Sequence, residues 1–244
     1  MIRFILVALV LITFLITSLL LLIGEWLVAK KNPRKMQEHS LKVVQAMFRF
    51  ILRIAGSKIE VRGRERIPAG AVLYVGNHRS YFDILVGYTS VPDLTGFVAK
   101  KEMLKVPSLS HWMKNVNCLF LDRTDLKAGM RMILDGIEKV KNGVSIWIFP
   151  EGTRNENEQL SDLLEFKEGS LKIAEKSGCP VVPVAISGTA DIFEKHLPFI
   201  RPSKVIIEYG EPFYIKDLEP EKRKKSGAYT RERIIEMLNN QQET

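Results

Sequence analysis

An α/β domain with a mixed, largely parallel sheet flanked by helices, preceded by an N-terminal two-helix membrane anchor, is the architecture this chain of 244 residues predicts. Three observations carry it. Short runs such as residues 144–149 and 181–186 are almost wholly apolar, the pattern of strands covered on both faces, and they alternate with longer helical stretches. Residues 4–23 are apolar except for Thr13, Thr17 and Ser18. Positive charge gathers at the amino end, where residues 1–56 hold eight Lys and Arg against two Glu, a net +6 of the chain's +8.

At about 1.5 Å per residue the apolar run makes a helix roughly 30 Å long, enough to cross hydrocarbon. It exceeds the apolar core of a signal peptide, and Glu25-Trp26 and a basic cluster follow it instead of a small-residue cleavage site. The cluster outweighs Arg3 ahead of the run, so a spanning helix leaves its carboxyl end in the cytoplasm. Asn32-Pro33 then reads as the N-cap and first residue of a second helix ending near Gly56. Glu38, Lys42, Gln45, Arg49 and Arg53 recur there at steps of three and four, leaving an apolar face of Val43, Val44, Met47, Phe48, Phe50, Ile51 and Ile54. Such a helix lies in the membrane interface or packs on its predecessor. Two arrangements satisfy the pattern: one span with a surface helix, or a two-helix plug in one leaflet. Both divide the chain into an anchoring segment, residues 1–56, and a domain, residues 57–244, on the cytoplasmic face of the membrane.

Within that domain, strands are expected at residues 58–62, 71–76, 95–99, 117–121, 144–149, 181–186 and 204–209. Helices are expected at residues 128–141, closed by Asn142-Gly143, at 167–177 before Gly178, and at 229–239. Ser80-x-x-Asp83 reads as a capping box that opens another. Functional groups in open α/β sheets gather at the carboxyl ends of strands, and two segments in such places carry chemistry. In Asn77-His78-Arg79-Ser80-Tyr81-Phe82-Asp83, a carboxylate five residues from a histidine can fix the imidazole tautomer and make its free nitrogen a proton acceptor. In Phe149-Pro150-Glu151-Gly152-Thr153-Arg154, a turn after a strand presents a glycine and a guanidinium suited to a phosphate.

In this order, the two segments resemble the blocks of the lysophosphatidic acid acyltransferases, a His-x4-Asp preceded by Asn and a Phe-Pro-Glu-Gly-Thr-Arg. Residues 117–123 are similar to the family's second block, with Asn117 where a glycine is often found, and residues 181–187 are similar to its fourth. The resemblance covers residues 61–188. It implies transfer of an acyl group to the 2-hydroxyl of 1-acyl-glycerol 3-phosphate, giving phosphatidate, without a covalent acyl-enzyme. His78 would be the general base and Asp83 its orienter. Arg154 is the first choice for the acceptor phosphate, with Gly152 and Thr153 in its turn, and Glu151 would hold Arg154 or contact the glycerol hydroxyl. Lys100, Lys101, Lys105 and Arg123 are supporting cations, Arg123 being also a candidate ion-pair partner of Asp122. The sequence does not fix the donors to the oxyanion; backbone amides near the Val182-Pro183 strand are one candidate. No cofactor is implied; an acyl thioester of acyl-carrier protein or coenzyme A is the co-substrate, and the partners are lysophosphatidate and the bilayer.

Other classes fare worse. The local basicity lacks the interleaved aromatics of a nucleic-acid surface. His39, His78, His111 and His196 share no metal-ligand spacing with each other or with Cys118 and Cys179, which read as buried free thiols in a reducing compartment. No Walker loop, GxGxxG or GxSxG is present. Among the histidines, His78 alone has a carboxylate poised near it in sequence. The rivals are acylation of glycerol 3-phosphate or another lysophospholipid, a thioesterase in which the same pair activates water, and a non-catalytic lipid-binding protein.

Overall fold

A computed structural model describes residues 1–242. Seven strands, β1 (Lys58–Arg62), β2 (Leu73–Gly76), β3 (Thr95–Lys100), β4 (Leu119–Leu121), β5 (Ser145–Ile148), β6 (Val181–Ser187) and β7 (Lys204–Tyr209), form one sheet in the order β1-β7-β6-β2-β5-β3-β4. Every neighbouring pair is parallel except β6 and β7. The helices are α1 (Ile2–Thr17), α2 (Leu19–Lys31), α3 (Pro33–Ala55), α4 (Phe82–Ser90), α5 (Pro107–Asn115), α6 (Leu126–Lys141), α7 (Lys172–Ser177), α8 (Pro220–Lys224) and α9 (Ser226–Gln242). The mixed, largely parallel sheet flanked by helices is therefore as expected, and each expected strand lies within about two residues of an observed one.

Alternation along the strands sorts the core into two layers. Leu73, Val75, Ile146 and Ile148 point to one face, where they pack with α6, α7 and α9 through Met132, Ile173 and Ile234. Tyr74 and Trp147 point to the other and join Val44 and Ile51 of α3, Val86 of α4 and Trp112 of α5. The aromatic groups there interlock, with Trp147 stacked on Phe97 at 5.0 Å and tilted against Tyr74 at 5.2 Å.

Several local expectations change. Residues 4–23 do not form one helix: α1 and α2 meet at Ser18 with a 47° bend, and no single helix among the described residues is long and apolar enough to cross a membrane. Thr17 Oγ1 donates to the Thr13 carbonyl at 2.8 Å, a back-bond of the kind that bends helices. Ser18 is buried against α5, where it accepts from Trp112 Nε1 at 2.9 Å; Ser108 Oγ donates to the Leu15 carbonyl at 2.7 Å. Much of the apolar surface of α1 and α2 stays exposed, including Ile5, Leu9, Ile12, Leu20 and Ile23.

The third helix begins and ends as expected. Asn32 Oδ1 accepts from Lys35 N at 2.9 Å, and the helix closes at Gly56 with a Ser57 N to Leu52 O bond. Its apolar face, however, packs into the core of the sheet domain as well as on α2: Phe48 meets Tyr88 at 5.7 Å, and Gln45 Nε2 donates to the Tyr88 carbonyl at 3.0 Å. Phe50, expected on that face, is exposed. The expected helix at 167–177 is a 3-10 turn, Glu168–Leu171, followed by the short α7. Gly169 and Ser170 favour helix poorly, and the Glu168 carboxylate turns away to accept from Gly227 N and Ala228 N at the start of α9. Helix α5 adds to the expected elements, and Pro107 at its first position is the signal for it.

Candidate active site

Because β6, β2, β5, β3 and β4 are mutually parallel, their carboxyl ends share one edge of the sheet. The central strand β2 delivers His78 to that edge, and its neighbour β5 delivers the Glu151–Arg154 turn beside it. Asn77 fixes the exit from β2. Its buried side chain donates to the Ile186 carbonyl at 2.9 Å and accepts from Ile186 N at 2.8 Å, so an amide side chain continues the β2–β6 ladder one step past its end.

His78 Nδ1 lies 2.8 Å from Asp83 Oδ2. The same carboxylate oxygen accepts from Arg79 N at 2.7 Å and Ser80 N at 2.8 Å, so three donors converge on it. Asp83 is buried, and its other oxygen has no partner among the described residues. Half of the expected capping box is present: Asp83 accepts from Ser80 N, while Ser80 Oγ accepts from Phe82 N and not from Asp83 N. The imidazole stacks on Phe149 with ring centres 4.2 Å apart, and the side chain keeps 16% of its surface exposed. In the tautomer whose Nδ1–H donates to the carboxylate, Nε2 carries the lone pair and can accept a proton.

Phe149-Pro150-Glu151-Gly152 is a β-turn with a Gly152 N to Phe149 O bond of 3.0 Å and Pro at its second position. Gly152 has φ +74°, a conformation that favours glycine, and the exposed Lys167 ammonium group lies beside it. Lys167 lies 15 positions from Gly152, with no local motif to mark it in the sequence.

Glu151 does not hold Arg154. Its oxygens accept from His78 N at 2.7 Å and Leu164 N at 3.0 Å, tying the turn to the backbone beneath the imidazole. Burial pushes its carboxyl above the ordinary value, against the pull of those two amides. Arg154 instead reaches Glu194 at 3.3 Å and lies over the Tyr81 ring at 3.9 Å. Thr153 is exposed. Arg79 is spent structurally: its guanidinium is buried and donates to the Gln159 carbonyl at 2.9 Å and to the Asn157 carbonyl.

The remaining cations sit farther along the same edge. Lys100 ends β3 and Arg123 follows β4, two and three strands from β2, or roughly 10 and 14 Å at about 4.8 Å per strand. Both are exposed, as is Lys105 in the turn after β3. Asp122 pairs with Lys101 and not with Arg123; that ammonium and the Thr124 hydroxyl and amide hold its carboxyl down at about 2. Val182 and Pro183 themselves lie opposite Tyr74 and Val75, inside the ladder and behind the edge that their strand reaches at Ser187, and Pro183 has no N–H. A second imidazole–carboxylate contact escapes the spacing argument altogether: His39 Nδ1 of α3 meets the buried Glu25 of α2.

A family model described as Acyltransferase matches residues 58–187, just over half of the chain. The chain is similar to the 1-acyl-sn-glycerol-3-phosphate acyltransferase of Borreliella burgdorferi, 28% identical over 82% of this chain and 79% of that protein. It is 28% identical to the enzyme of that name from Saccharomyces cerevisiae, over 75% of this chain and 60% of the relative, and so spans about three-fifths of the yeast protein's length. A probable 1-acyl-sn-glycerol-3-phosphate acyltransferase of Mycoplasma pneumoniae is 34% identical over 67% of this chain and 64% of its own. Among solved structures, the 1-acyl-sn-glycerophosphate (LPA) acyltransferase PlsC of Thermotoga maritima superposes with a TM-score of 0.83 at 28% identity, covering 99% of this chain and 95% of that one.

Proposed function

The chain belongs to the Acyltransferase family, and from that premise we propose that it transfers an acyl group from an acyl thioester to the 2-hydroxyl of 1-acyl-glycerol 3-phosphate, giving phosphatidate. The observation that carries this reading is the His78–Asp83 contact at 2.8 Å, set on the strand edge beside a turn that presents a guanidinium. His78 Nε2 takes the proton of the acceptor hydroxyl, and the oxygen attacks the thioester carbonyl. Asp83 keeps the imidazole in the required tautomer and steadies the imidazolium. As the tetrahedral intermediate collapses, the new ester C–O bond is kept and the C–S bond breaks. The thiolate leaves and takes the proton back from His78, so the imidazole is neutral again at the end of the cycle.

The acceptor phosphate is held by Arg154, with Lys167 over Gly152 a second cation beside the same turn. Lys100, Lys105 and Arg123 extend the positive edge toward an acidic donor, either acyl-carrier protein or coenzyme A. The exposed apolar surface of α1 and α2, together with the amino-terminal basicity, supports a membrane-bound form with the catalytic domain on the cytoplasmic face.

The test is a matrix of donors and acceptors on detergent-purified protein, with the product identified by mass. Acyl-carrier protein and coenzyme A thioesters are offered with lysophosphatidate, glycerol 3-phosphate, another lysophospholipid, or no acceptor. Phosphatidate formed from lysophosphatidate is the expected product. Thiol release independent of acceptor would make the protein a thioesterase, and release that needs glycerol 3-phosphate would move the acceptor.

A further inference from the structure

We propose that Glu194 is a positioning residue of the acceptor site, one that clamps the Arg154 guanidinium and the loop after His78 into a single arrangement. The inference rests on Arg154 being the phosphate cation, as argued above.

Glu194 opens a 3-10 turn, Glu194–His196, beyond β6, and its side chain keeps only 17% of its surface exposed. One oxygen, Oε1, accepts from Tyr81 N at 2.8 Å and from Arg154 Nη1 at 3.3 Å. The other, Oε2, accepts from Ser80 Oγ at 2.6 Å. A single carboxylate thus joins the loop leaving β2 to the turn leaving β5, two segments that carry the base and the phosphate cation. Tyr81 closes the figure. Its amide is bound by Glu194 while its ring lies 3.9 Å from the guanidinium carbon, so Arg154 is held between an aromatic face and a carboxylate.

Such a clamp matters for an arginine more than for a lysine. A guanidinium binds phosphate through a planar fork, and its donors meet the phosphate oxygens only when the plane is already oriented; ordering a free side chain at the moment of binding weakens affinity. Two effects oppose each other here. Orientation by Glu194 strengthens acceptor binding, whereas its negative charge repels a phosphate dianion. Three donors, one of them the guanidinium itself, converge on the two oxygens of Glu194 and offset its charge, so orientation prevails. Glu194 lies outside residues 58–187, where the family model matches, and is 40 positions from Arg154 and 113 from Tyr81.

The experiment uses the full chain in detergent micelles, with lysophosphatidate as acceptor and an acyl thioester as donor, and reads acceptor KM and kcat separately. Glu194→Ala is expected to raise KM by about tenfold with a smaller change in kcat, an effect of the size expected for one charge-assisted hydrogen bond. Glu194→Gln keeps an oxygen for Tyr81 N and Arg154 and should stay within about threefold of the parent. Glu194→Asp keeps the charge but falls one methylene short of its partners, so it should raise KM as well; it also serves if the alanine variant fails to fold. In an Arg154→Ala background, Glu194→Ala should add little to KM, because its partner is gone. An unchanged or lowered KM in Glu194→Asp overturns the proposal, as does full additivity with Arg154→Ala. If Arg154→Ala raises KM and Glu194→Asp does not, the phosphate assignment stands and the clamp alone fails. If Arg154→Ala leaves KM unchanged, the phosphate assignment fails and takes the clamp with it.

Discussion

His78–Asp83 and His39–Glu25 are both contacts between an imidazole Nδ1 and a buried carboxylate, yet they sit in different surroundings. Around Asp83 the backbone amides of Arg79 and Ser80 share the oxygen that holds the histidine, so three contacts fix that carboxylate in place. Around Glu25, as around Asp83, one oxygen has no partner among the described residues, but the other is met only by a ring with 61% of its surface exposed. The His78 ring is stacked on Phe149, and an arginine stands nearby on the neighbouring loop. The His39 pair joins two helices, α2 and α3, and no described arginine or lysine is bonded to it. A histidine with a carboxylate is therefore not in itself a catalytic unit; under the proposed function, fixed amides, a stacked ring and a neighbouring phosphate cation make the difference.

Removing the histidines one at a time breaks the comparison most sharply. His78→Ala should lower kcat by about 10²–10⁴, the usual loss of a positioned base, with acceptor KM little changed. His39→Ala should leave kcat within about twofold. Near-parental turnover by purified His78→Ala, free of host acyltransferase, would overturn the base assignment. Asp83→Asn should also be severely impaired, because the amide cannot steady an imidazolium as the carboxylate does. The double variant with His78→Ala should be no worse than His78→Ala alone, and a measured additive loss would mean that the two residues act separately.

The cation beside the dyad comes next. Arg154→Ala loses a charge-assisted contact of about 1.5–3 kcal/mol, so acceptor binding should weaken roughly ten- to a hundredfold, and Arg154→Lys should recover only part of it. The relevant measurement is rate against lysophosphatidate concentration at saturating donor.

For the helix pair the readout is stability. His39→Ala strands a buried carboxylate and should cost about 1–3 kcal/mol, seen as a lower thermal midpoint in detergent, whereas Glu25→Gln with His39→Ala should recover part of the loss. An unchanged midpoint in His39→Ala would mean that the contact contributes nothing to holding α2 on α3.

The smallest effect concerns Glu151. Burial raises its carboxyl above the ordinary 4.5, so between that value and the raised one the folded protein holds more protons than the unfolded chain, and this group's contribution to stability falls as pH rises. Unfolding free energies of the parent and of Glu151→Gln, measured across that interval, should differ in slope in that sense. A slope of opposite sign would place the carboxyl below its ordinary value, with the His78 and Leu164 amides outweighing burial.

Strands, their order in the chain and the pair at the edge could be read in advance because each depends on neighbours close in sequence. Apolar runs such as residues 181–186 declare burial on both faces, Asn32-Pro33 and Gly56 declare the ends of a helix, and five positions separate His78 from Asp83 across a tight loop. What depended on distant residues could not be read. Glu194 reaches Arg154 across 40 positions, Trp112 meets Ser18 across 94, and His39 finds Glu25 only once α2 and α3 have folded back on each other. Spacing along the chain reports contacts made within a turn or a loop, while these partners are chosen by the order of the strands and the packing of helices on the sheet, which no local pattern encodes.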